Sequence, residues 1–86
     1  HGFTMSLARE VARKNITVNT ISPGYIATDM VMAVPEDIRN NIIAEIPVGR
    51  LGKPEEIAHL VSFLASDYAS FITGANIAAN GGHHME

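Results

Sequence analysis

Apolar residues recur every four positions at Phe3, Leu7 and Val11, with Ala8 and Ala12 alongside, which predicts a helix with one apolar stripe reaching about Lys14. Arg13 and Lys14 fall in its last turn, where cations favour the helix dipole, and Asn15 suits a left-handed cap. No capping residue precedes the stripe, so this helix is expected to begin upstream of His1. From Ile16 to Ile21 the helical spacing is lost and every residue except Asn19 is β-branched, which predicts a strand. Pro23 and Gly24 then stop it.

Past this break, Pro35 at a first helical position, followed by Glu36 and Asp37, opens a helix carrying Ile38, Ile42, Ile43 and Ile46, and Pro47 ends it. Lys53-Pro54-Glu55-Glu56 opens another in the same way, with Ile57, Leu60, Val61 and Leu64 on one face. Ser66-Asp67 closes that run and Thr73-Gly74 makes a turn. Ala75 to Ala79 is short and apolar enough for a buried strand before Asn80-Gly81-Gly82 breaks it. Helix, strand, two helices, strand is an α/β order in which the two strands pair in parallel through a crossover. Parallel sheets are covered on both faces and a two-stranded pair is marginal alone, so the strand at Ile16 to Ile21 is expected to expose an edge.

Composition narrows the classes. At 86 residues and 47% hydrophobic side chains the chain is at most one small globular domain. No apolar run approaches the roughly 18 residues of a membrane-spanning helix, and no charged-then-apolar leader opens the chain. A cytoplasmic location without a membrane partner is expected. Absence of cysteine excludes disulfides, thiolate chemistry and cysteine-ligated zinc. Six basic against nine acidic residues, a net charge of -3, leave no basic stripe, so no nucleic-acid partner is expected. With no initiator methionine before His1, the chain is expected to be a fragment.

The candidate chemistry lies at the Pro23-Gly24 break, because open α/β sheets hold ligands outside the carboxyl ends of their strands. Pro23 removes a donor and Gly24 lets another group come close to the main chain, although on residue types alone a plain turn is the commoner meaning. Thr28 serves equally as a helix N-cap or a ligand hydroxyl. Tyr25 reads as a surface or packing tyrosine, and Met30 and Met32 as packing residues or an adaptable apolar wall. Metal binding finds no support. His59 lies about 200° round the helix from Ile57 and is expected to face solvent. His83 and His84 are adjacent in a glycine-led tail with no third ligand. Ser22 is not in a Gly-x-Ser-x-Gly elbow.

The run Thr17 to Met30, then Arg50-Leu51-Gly52-Lys53-Pro54-Glu55-Glu56-Ile57-Ala58, Phe63-Leu64-Ala65-Ser66-Asp67, Thr73-Gly74-Ala75-Asn76-Ile77 and Asn80-Gly81-Gly82, resembles in order and spacing the C-terminal third of a short-chain dehydrogenase/reductase. The resemblance implies that residues 1–86 are the C-terminal fragment of a single Rossmann-type domain, holding the last two strands of its doubly wound parallel sheet. The glycine-rich phosphate loop and the Tyr-x-x-x-Lys motif with its serine belong upstream, so no catalytic residue is expected in this chain and the fragment alone is expected to be inactive. His1 to Ala12 and Thr20 to Val31 are similar to the reductases of 3-oxoacyl thioesters within the family, acetoacetyl-CoA first and carrier-protein substrates second.

The implied cofactor is NADP, with NAD as the alternative, and the implied assembly is a tetramer whose interfaces include the first helix and the last helix and strand. Pro23, Gly24, Tyr25, Ile26 and Thr28 are implied cofactor-binding residues, the main chain of Pro23, Gly24 and Ile26 meeting the nicotinamide carboxamide. Gly24, Tyr25 and Met30 are implied to meet the acyl thioester, and Asp29 to Ile46 to form a helical lid over it. Met32 and Pro35 stand where basic groups for the CoA phosphates are expected, leaving Arg39 as the basic residue of that stretch.

Overall fold

The computed structural model describes residues 1–83. Its elements run α1 (Gly2–Val11), a 3-10 turn (Ala12–Lys14), β1 (Thr20–Pro23), α2 (Asp29–Met32), α3 (Glu36–Ala44), α4 (Pro54–Leu64), a second 3-10 turn (Asp67–Ala69) and β2 (Asn76–Ala79). β1 and β2 pair in parallel, Thr20 opposite Asn76 and Pro23 opposite Ala79, giving the α/β arrangement expected of part of a Rossmann-type sheet.

The strand expected at Ile16 to Ile21 is displaced: it begins at Thr20 and runs through Pro23. Propensity marks where a strand is tolerated, whereas pairing decides where it forms. Residues 18 and 19 meet the turn before β2 instead. There Val18 N–H donates to Thr73 Oγ1 at 3.0 Å, Asn19 Nδ2 donates to the Ile72 carbonyl at 3.1 Å, and Asn19 Oδ1 accepts from Ala75 N–H at 3.1 Å. Pro23 fits because the N–H groups of Thr20 and Gly24 face β2, donating to the Ala75 and Ala79 carbonyls at 2.8 and 3.0 Å. By alternation the nitrogen of Pro23 points to the open edge, where no donor is needed.

The helices follow their capping chemistry. Asn15 takes the left-handed conformation, φ 59° and ψ 34°, and its N–H donates to the Ala12 carbonyl at 3.2 Å. Helix α3 begins one residue after Pro35, which acts as its cap, and ends at Ala44, short of the expected Ile46 and Pro47. Helix α4 starts at Pro54, and the Glu56 carboxylate accepts from Lys53 N–H at 2.9 Å, the half of a capping box that a lysine cap permits.

The core is thin. Only Ala8, Ile46 and Ala69 are buried among the described residues, while Phe3, Tyr68 and Phe71 are 80%, 91% and 101% exposed. The chain exposes 6463 Å², against about 4,900 Å² for a compact protein of this mass. Its radius of gyration is 15.6 Å, against roughly 12 Å for a compact domain of this length. Apart from β1 on β2 the helices scarcely touch the sheet. No helix of the described residues is long and apolar enough to cross a membrane.

Candidate functional site

Three loops converge beyond the carboxyl ends of the two strands. Tyr25 to Ala27, leaving β1, is held to the segment before α4, where Gly52 N–H donates to the Tyr25 carbonyl at 2.9 Å and Ala27 N–H to the Gly52 carbonyl at 2.8 Å. The segment after α3 crosses the end of β2, with Val48 N–H donating to the Gly81 carbonyl at 3.1 Å. Asn80 to Gly82 turns back on itself, Asn80 Oδ1 accepting from Gly82 N–H at 2.9 Å while Gly81 and Gly82 adopt φ of 63° and 88°.

Between these loops, α4 and β2 lies an open groove of about 500 Å³. Ile57 and Leu60 of α4 face Ile77 and Ala79 of β2 along it, and Tyr25 and Ile26 stand at its loop end. Arg50 and Glu56 form its charged wall in a two-pronged pair, Nη1 to Oε1 at 2.7 Å and Nη2 to Oε2 at 3.0 Å. The Arg50 hydrogen bonds, then the Lys53 N–H, hold the Glu56 carboxyl down at about 2, and the same pairing raises the Arg50 guanidinium. Because the pair neutralises itself, the described lining suits an uncharged or acyl group better than a phosphate.

The residues singled out in the sequence separate here. Tyr25 and Ile26 line the groove, whereas Pro23, Gly24 and Thr28 stand outside its lining. Gly24 is needed for chain packing: a Cβ there would lie 2.7 Å from Asn80 Cβ and 2.8 Å from Asn80 Cα. What comes close to its main chain is the turn after β2. Thr28 caps α2, its hydroxyl accepting from Val31 N–H at 3.4 Å. Met30 is 83% exposed on α2, away from the groove. Arg39 donates to the Met32 and Val34 carbonyls at 2.9 and 3.4 Å, which ties α3 to the end of α2.

Ser22 donates to Asn76 Oδ1 at 2.8 Å and His59 is exposed. No group of three metal-binding side chains occurs among the described residues, and His84 lies outside them. Arg50, Glu56 and the Asn80 to Gly82 turn were not marked in the sequence as site residues. The available signal was Glu56 at the third position of a proline-started helix, six residues after an arginine.

The Tyr25–Ala27 tie leaves a usable pair of main-chain groups. Its bonds come from the Tyr25 carbonyl and Ala27 N–H, so the N–H and carbonyl of Ile26 itself point away from Gly52. The Ile26 carbonyl accepts from Thr28 N–H at 2.7 Å, and its N–H makes no hydrogen bond among the described residues. An adjacent donor and acceptor of this kind match a carboxamide, which needs one of each.

A family model described as enoyl-(acyl carrier protein) reductase matches residues 1–84. The chain belongs to the short-chain dehydrogenase/reductase family. It is 60% identical over 85 residues to the acetoacetyl-CoA reductase of Cupriavidus necator, covering 99% of this chain and 35% of that protein. The acetoacetyl-CoA reductase of Shinella zoogloeoides is 65% identical over 82 residues, covering 94% of this chain and 34% of the relative. The 3-oxoacyl-[acyl-carrier-protein] reductase of Escherichia coli is 55% identical over 84 residues, covering 98% and 34% respectively. The chain thus spans about a third of the length of the curated relatives it matches.

Proposed function

We propose that this chain is the C-terminal part of an NADP(H)-dependent reductase that converts a 3-oxoacyl thioester, acetoacetyl-CoA, to its 3-hydroxyacyl form. The observation that carries the reading is the pairing of Tyr25 and Ile26 at the strand end of a neutral, largely apolar groove. The names of relatives at 54–65% identity support the substrate class. A bound nicotinamide supplies the hydride.

The chain's own part is orientation. The Ile26 N–H and carbonyl hold the carboxamide, fixing the ring face turned to the substrate, and the Thr28 hydroxyl stands beside it. Tyr25 flanks the acyl group. Asp29 to Ile46, which stands outside the groove lining here, is the segment that closes over bound substrate, with Arg39 holding its two helices together. Proton transfer and phosphate recognition belong to the upstream part of the parent. Phe3, Tyr68 and Phe71, exposed here, become interface residues against that part and against other copies in a tetramer.

The test is kcat/KM of the full-length parent with NADPH and acetoacetyl-CoA, a carrier-linked 3-oxoacyl thioester and a 2-enoyl thioester. Preference for acetoacetyl-CoA supports the reading. Preference for the carrier moves the protein to the carrier-linked reductases, and reduction of the enoyl thioester alone overturns the reading.

A further inference from the structure

The contacts of His83 include three with other described residues. Its imidazole lies against the Tyr25 ring, centroids 5.8 Å apart and planes tilted by 31°. Its Nε2 stands 3.8 Å from the Glu45 carboxylate at the C-terminal cap of α3. Its backbone N–H donates to the Asn80 carbonyl at 3.2 Å, so the turn after β2 sets where the imidazole stands. The His83 side chain is 21% exposed although its surroundings are open, while the carboxylate it faces is 75% exposed.

Tyr25, by contrast, is 44% exposed, and no hydrogen bond among the described residues holds its hydroxyl. Its ring can turn about two side-chain bonds, and the imidazole is the aromatic surface against it. We infer that His83 is a positioning residue: it holds the Tyr25 ring at the mouth of the groove. The width available to the acyl end of the substrate then depends on His83, which itself touches no reacting atom. This rests on the proposed function, in which Tyr25 flanks a short 3-oxoacyl thioester.

The experiment is a double-mutant cycle in the full-length parent, with Tyr25→Ala, His83→Ala and the pair. Steady-state KM is read for acetoacetyl-CoA and for NADPH, together with kcat. Loss of an aromatic pair predicts a rise of roughly 2- to 10-fold in the thioester KM for His83→Ala, with NADPH KM and kcat within about twofold of wild type. In the Tyr25→Ala background the same change has no further effect, and His83→Phe restores the KM. Equal KM increases in both backgrounds, or an unchanged KM in His83→Ala alone, overturn the inference and leave the proposed function standing. An unchanged KM in Tyr25→Ala removes Tyr25 from the site and overturns both.

Discussion

Gly24→Ala tests whether the residue after β1 serves chain packing or ligand approach. The added Cβ would stand 2.7 Å from Asn80 Cβ and 2.8 Å from Asn80 Cα, whereas carbon atoms rest at about 3.5–4.0 Å. The turn after β2 must therefore retreat by roughly 0.8 Å or more. It is not free to do so cheaply, because Gly24 N–H donates to the Ala79 carbonyl at 3.0 Å and Asn80 Oδ1 holds Gly82.

Overpacking of this kind costs about 1–3 kcal/mol, and a stretched hydrogen bond about 1 kcal/mol more. For a domain of 150–250 residues that lowers Tm by roughly 5–15 °C. Gly52→Ala is the matched comparison, since its Cβ would also stand 2.7 Å from a neighbour, the Cδ1 atom of Ile26. That atom is the end of a rotatable chain, so the cost is about 0.5–1.5 kcal/mol. Calorimetry of the cofactor-free parent separates the two variants. A Gly24→Ala protein melting within about a degree of wild type, or a larger loss in Gly52→Ala, refutes the packing argument.

Other consequences follow from the same contacts. Glu56 has its carboxyl held at about 2, from an ordinary 4.5, so the folded form is favoured above 4.5 and that advantage is lost as pH falls toward 2. Glu56→Gln should flatten the Tm profile of the parent in that window, by a small amount that salt reduces further, because the pair is about half exposed. Ile46→Ala removes one of the few buried side chains and is expected to cost about 2–4 kcal/mol, read as a fall in the urea midpoint at unchanged slope. Thr28→Ala removes the α2 cap, costing about 1 kcal/mol or less given the 3.4 Å bond. If its hydroxyl also meets the cofactor, NADPH KM rises; a stability loss with unchanged KM assigns Thr28 to capping alone.

How far the chain could be read without coordinates depended on how local each signal was. Helix α4 was legible in its start and its apolar face, because Lys53-Pro54-Glu55-Glu56 and the Ile57, Leu60, Val61, Leu64 stripe lie within one continuous stretch, although it ends at Leu64, short of the expected Ser66-Asp67. Asn15 was legible as a left-handed cap for the same reason. β1 was not, since its start is set by partners more than fifty residues away, where Thr73 and Ile72 take the groups of Val18 and Asn19. Gly24 was marked as a place of close approach, but only the structure shows that Asn80 fills it. Arg50 reads in the sequence only as part of a family motif and His83 only as a tail histidine without a third metal ligand, because each acts across a loop, on Glu56 and on Tyr25, and neither spacing is periodic.

In the proposed function the loop leaving β1 holds the nicotinamide end of the cofactor through the main chain of Ile26. A crystal structure of the full-length parent with NADP tests it most directly. The carboxamide is expected within hydrogen-bond distance, about 2.7–3.2 Å, of the Ile26 N–H, with Tyr25 beside the acyl position. A nicotinamide ring bound elsewhere, with the Ile26 N–H facing solvent or protein, would contradict it.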